Sequence, residues 1–141
     1  MKAFVWLRGA AFFMFLFLVG HTIGTFFPPI TPSDKEILLF EEMKSLSVPI
    51  FGVTRTHWDF YYGLHLYLWL NLVLIVVWIW LLGNISKIHP KIVKAFAYPL
   101  TIIIAGIGVV SWIYFFPPPA IFAFMATACL VWAINLLGKT S

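Results

Sequence analysis

Four long apolar stretches, each ended or opened by proline or glycine, alternate along the chain with polar segments of unequal length. The first covers residues 4–27 and stops at Pro28-Pro29. The second covers 58–82 and stops at Gly83-Asn84, a common helix C-terminal signal. The third, 90–116, opens on Pro90, a residue suited to a first helical position. The fourth, 119–137, follows Pro117-Pro118-Pro119, a run that permits only a tight hairpin from the third. A hydrocarbon core about 30 Å thick takes roughly 20 apolar residues at 1.5 Å each, so all four qualify as membrane spans. Pro99, inside the third, removes a backbone hydrogen bond and is expected to kink that helix.

The polar segment 28–57 carries Ser33-Asp34-Lys35-Glu36, a capping-box pattern with Ser33 as N-cap and Glu36 reaching back. Leu39, Phe40, Met43 and Leu46 then recur at helical spacing, with Glu41, Glu42 and Lys44 elsewhere around the helix. This predicts a short amphipathic helix over about 33–46, lying on the outer membrane surface as a linker or folded over the bundle as a lid. The predicted fold is all-α: an integral membrane four-helix bundle with one short interfacial helix on the outer side, in a single transmembrane domain 1–141.

Composition supports lipid as the solvent. Charged residues are 10% of the chain and hydrophobic ones 62%, whereas a soluble domain carries about 25% charged residues. The net charge of +4 does not point to nucleic acid, because the basic residues sit at segment ends. Lys2, Arg8, Lys87, Lys91, Lys94 and Lys139 fall on one side of a four-span topology. Lys35, Lys44, Arg55 and all five acidic residues fall on the other. The positive-inside rule then places both termini in the cytoplasm, with a bacterial inner membrane as the expected location. Trp6, Trp58, Trp80 and Trp112 suit interfacial aromatic belts. The basic start and apolar run also describe a signal peptide. The run exceeds the usual 7–15 residues and no Ala-x-Ala site follows, so a retained span is expected. Cys129 is the single cysteine, which excludes a disulfide framework within the chain.

Candidate chemistry gathers at the outer ends of the first two spans. His21 lies six residues before the end of the first, and His65 seven residues into the second. Both are then about 10 Å deep, where an ionisable group costs about 2.5–3.5 kcal/mol at the bilayer centre and so marks a functional candidate. His57, Tyr61 and His65 share one helix face, and Arg55 and Asp59 are spaced for an ion pair. Thr56 with Asp59 also fits a capping box, which explains Asp59 without catalysis. His21, Arg55, Asp59, Tyr61 and His65 form the candidate ligand cluster, with Tyr62 and Tyr67 nearby in sequence. Small residues mark candidate helix contacts: Gly20 and Gly24 in a G-x-x-x-G, Thr101, Ala105 and Gly108 on the third span, Ala123 and Thr127 on the fourth. They signal either tight packing within the chain or docking of a partner.

No H-x-x-x-H or C-x-x-C occurs, so no metal site is expected. G-x-S-x-G, phosphate-loop and dinucleotide fingerprints are missing as well. No span carries a carboxylate deep enough for ion coupling.

Gly20-His21-Thr22-x-Gly24 closes the first span, Leu38-Leu39 and Met43 follow, and Gly52-x-x-Arg55-Thr56-x-x-Asp59-x-x-x-Gly63 opens the second. This order resembles a group of small bacterial four-helix membrane proteins that bring no established activity. In outline it is also similar to the DoxX-like and sterol-isomerase-like (EXPERA) bundles, departing from them in span count and in lacking intramembrane acidic residues. The resemblance implies architecture and leaves function open. The expected role is an accessory or structural subunit of a larger membrane complex, with lipids and other membrane subunits as partners and no cofactor. The alternatives are a lipid- or quinone-binding protein, or an isomerase-like enzyme, working through the His/Asp/Tyr cluster. A third is a carrier of haem b held by His21 and His65.

Overall fold

A computed structural model describes residues 2–27 and 31–138. Pro28-Pro29, expected to end the first span, and Lys139, one of the basic set, lie outside the described residues. The elements run α1 (Ala3–Phe26), α2 (Asp34–Ser45), β1 (Ser47–Ile50), β2 (Val53–Thr56), α3 (His57–Ile85), α4 (Pro90–Tyr114) and α5 (Pro117–Gly138). The helices α1, α3, α4 and α5 are long and apolar enough to cross a membrane. The chain divides into two compact units, Met1–His21 with Leu72–Ser141, and Thr22–Asn71.

The first unit holds every buried residue among those described. On α5 the alanines Ala120, Ala123, Ala126 and Ala133 are fully buried, and on α4 the buried positions Val93, Ala97, Leu100, Ile104, Gly108 and Ser111 recur at helical spacing. Side chains this small bring the backbones of α4 and α5 close together, which in lipid is the main source of helix–helix attraction. At Gly108 a Cβ would stand 2.7 Å from Phe124 Cε1. At Gly9 a Cβ would stand 3.4 Å from the buried Cys129 thiol, so α1 meets α5 closely too. Thr101 and Thr127 turn their hydroxyls back to Ala97 O (2.7 Å) and Ala123 O (2.9 Å), bonding within their own helices rather than across the contact.

Two helix boundaries differ from the sequence expectation. The second span does not stop at Gly83-Asn84 but runs on to Ile85. Gly83 is a buried contact point, where a Cβ would lie 3.5 Å from Arg8 Nε and 3.8 Å from Leu7 Cβ. The helix ends at Ile85, just before Ser86, which donates from N (3.3 Å) and Oγ (2.8 Å) to Gly83 O. The proline run does not precede α5 but begins it at Pro117. The N–H groups of a first turn have no helical acceptor, so prolines lose nothing there.

In the second unit an antiparallel hairpin joins α2 to α3, in a segment whose sequence predicts a loop. Ser47 pairs with Thr56, Val48 with Arg55, Pro49 with Thr54 and Ile50 with Val53. The turn is Phe51-Gly52, with φ of 48° and 83°, both positive as a type I′ turn requires. β-branched Val48, Ile50, Val53 and Thr54 were the legible signal, hidden by a Pro within so short a run. Before the hairpin, α2 carries the expected capping box. Ser33 N donates to Glu36 Oε2 at 2.7 Å, and Glu36 N donates to Ser33 Oγ at 3.3 Å. None of α2 is buried.

Two outcomes follow. Gly108→Val forces Phe124 out of its place and is expected to lower stability by about 1–3 kcal/mol, with Phe124→Ala in the same background restoring part; unfolding in mild detergent measures both. The Ser33 backbone N–H, and then its hydroxyl, hold the Glu36 carboxyl below its ordinary pKa of 4.5. Because the folded pKa is lowered, the box stabilises α2 fully above pH 4.5 and loses that support as pH falls through the lowered value. The Ser33 amide proton shift, titrated by NMR, should report the loss, and Glu36→Gln should abolish the titration.

Candidate functional site

The start of α3 is fixed by a second capping box. Thr56 ends β2 and caps the helix: its N–H donates to Asp59 Oδ2 at 2.8 Å, and Asp59 N–H donates to Thr56 Oγ1 at 3.1 Å. Asp59 of the candidate cluster therefore has a structural occupation. Arg55, expected to pair with Asp59, donates from Nη1 to Thr54 O at 3.2 Å and is near enough for its charge to act on the Asp59 carboxylate. His57 returns the chain to the end of α2, with its backbone N–H donating to Leu46 O (3.2 Å) and its ring Nδ1 at 3.2 Å from the same oxygen.

Next along α3, Trp58 organises an aromatic cluster. Its ring meets Phe40 of α2 edge-on at 5.4 Å between centroids and stacks on Tyr62 at 6.1 Å and 11°. Tyr61 lies 5.6 Å from it, and the Lys44 ammonium sits 5.2 Å above its ring. Tyr61 in turn meets the His65 imidazole edge-on at 4.5 Å and 67°. Aromatic pairs of this kind add about 0.5–1.5 kcal/mol beyond burial, and an exposed cation–π contact about 0.5–1 kcal/mol. The cluster thus fastens α2 to α3 although neither Phe40 nor Trp58 is buried.

Of the candidate residues, Asp59, Tyr61 and His65 lie along the first three turns of α3, and contact is made between Tyr61 and His65. His21, partly buried near the end of α1, belongs to the first unit, and His65, also partly buried, to the second. Two contributors went unrecognised in the sequence. Lys44 reads there as a surface charge and Trp58 as a belt residue, because their partnership bridges fourteen positions and a hairpin. The same holds for Trp69, whose Nε1 donates to Thr22 Oγ1 at 3.0 Å and whose ring meets Phe26 at 6.3 Å. Among the described residues, no three His, Cys, Asp or Glu side chains are grouped to hold a metal ion.

The cap and the aromatic cluster make separable demands. Thr56→Ala should expose the first amides of α3 to faster hydrogen exchange without disturbing the Trp58–Phe40 contact, and Thr56→Ser should retain protection. Uniform loss of protection across α2 and α3 would instead mean that the cap governs the whole unit.

No protein-family model matches the chain, and the searches of curated proteins and of solved structures found no match either.

Proposed function

We propose that this chain is a polytopic inner-membrane protein with cytoplasmic termini that serves as an accessory subunit, docking on a larger membrane protein through the hairpin of its second unit. One observation carries the reading. Phe51 stands at the turn with a relative exposure of 103%, and its backbone is left-handed at φ 48°. A bulky residue in that conformation costs about 1–2 kcal/mol, which Asn or Gly would largely avoid. The fold gains nothing from Phe51, so its value lies in what it touches outside the chain. The open G-x-x-x-G of α1 supports the same reading. A Cβ on Gly20 or Gly24 would meet nothing within 4 Å among the described residues, which leaves room for a partner helix at each. The distribution of basic residues supports the orientation.

The test uses the full chain in its native membrane, with a photo-crosslinking residue at position 51 and a control at position 102, another exposed site. A discrete stoichiometric adduct at 51 and none at 102 is expected. Phe51→Asn should hold or raise thermal stability by about 1 kcal/mol while abolishing co-purification of the partner. Unchanged co-purification in Phe51→Asn, or a lone chain carrying quinone or haem, would overturn the reading and favour the Tyr61–His65 region.

A further inference from the structure

Arg8 is held in an unusual way for a cation. Its guanidinium carbon lies 3.1 Å from the centroid of the Trp80 ring and 5.0 Å from that of Phe4. Nη2 donates to Asn84 Oδ1, and Nε lies 3.5 Å from where a Cβ on Gly83 would stand. Nη1 is buried and meets no acceptor among the described residues. A buried donor on a charged group is costly unless a counter-charge arrives. No Asp or Glu of the first unit supplies one. All five acidic residues, Asp34, Glu36, Glu41, Glu42 and Asp59, fall in Thr22–Asn71, and none in Met1–His21 or Leu72–Ser141. Lys87 adds a second cation, its Nζ 5.7 Å from the same Phe4 ring.

An apolar groove of about 510 Å³ runs beside this cation, between α3 and α4. Leu74, Trp78, Leu81 and Ile85 line it from α3, and Ile92 and Phe96 from α4. Asn84 is the one amide in its lining, and it is the residue whose Oδ1 receives Arg8 Nη2. From Leu74 to Ile85 the helix rises about 16 Å, close to the half-thickness of a hydrocarbon core about 30 Å across. Groove and cation therefore share a residue and match the two ends of one molecule.

We infer that the first unit binds a single anionic phospholipid, with its phosphate at Arg8 and Lys87 and an acyl chain in the α3–α4 groove. Guanidinium is suited to this task, since it presents paired donors to phosphate and stacks on an aromatic ring. A zwitterionic lipid fits the groove equally but brings its own ammonium, so it leaves the charge of Arg8 uncompensated. The inference rests on the chain lying in a membrane and is independent of the subunit reading.

Native mass spectrometry of the delipidated full chain in mild detergent tests it, with phosphatidylglycerol, phosphatidylcholine and inorganic phosphate as probes. One phosphatidylglycerol should be retained at about tenfold lower concentration than phosphatidylcholine, and millimolar inorganic phosphate should not displace it. Arg8→Gln should erase the preference, and Lys87→Gln, at an exposed site, should reduce it without affecting folding. Leu81→Trp, which fills the groove, should weaken retention of both lipids. Equal retention of the two lipids by the wild-type chain would overturn the inference. So would an undiminished preference in Lys87→Gln and a folded Arg8→Gln. Displacement by inorganic phosphate would reassign the site to a soluble anion.

Discussion

Close approach of helix backbones over small side chains is the constraint on which the first unit depends. In a lipid solvent, burial of apolar surface gives little net attraction between helices, because lipid tails are as apolar as leucine. What remains is van der Waals contact, which falls away within an ångström of the optimum. The alanines of α5 are fully buried, a Cβ on Gly108 would clash with Phe124, and Cβ atoms on Gly9 and Gly83 would already stand in van der Waals contact with Cys129 and with Arg8 and Leu7. Large apolar residues such as Ile102, Trp112 and Trp132 are left to face outward. Their exposure would be a liability in water and is none in hydrocarbon.

The second unit is built on a different basis. It has no buried residue among those described, so packing contributes little. Its order comes from short-range bonds: the Ser33–Glu36 box, the Thr56–Asp59 box, a four-rung hairpin and the double link from His57 to Leu46 O. Each of these is worth only a modest net free energy in water. Phe51 at the hairpin tip is the clearest product of this unit, an aromatic side chain displayed at the expense of backbone comfort.

Arg8 shows how the two regimes differ in their treatment of charge. In the second unit, acidic and basic side chains are exposed and water can solvate each of them. In the first, a guanidinium is folded against Trp80 and Asn84 with one nitrogen shielded, and that unit holds no Asp or Glu to balance it. A tryptophan that suits an interfacial belt by its position is here the platform for a cation.

The sequence by itself determined the features that depend on local rules. Span length and polarity follow from a fixed rise per residue, and both capping boxes follow from a fixed three-residue reach, so the helices and the Ser33 and Thr56 caps were legible. Gly83-Asn84 was misleading because the same residue type serves as a helix stop and as a contact point, and only the neighbouring α1 decides which. The hairpin was obscured because Pro49 argues against a strand in isolation, while pairing of Ile50 with Val53 across a two-residue turn outweighs it. Of the candidate site, the roles of Thr56 and Asp59 and the helix face shared by Tyr61 and His65 could be read from spacing. Only tertiary structure set Lys44 over Trp58, Trp69 against Thr22 and Arg8 against Trp80, since long-range partnerships depend on where helices meet and leave no periodic trace in the chain.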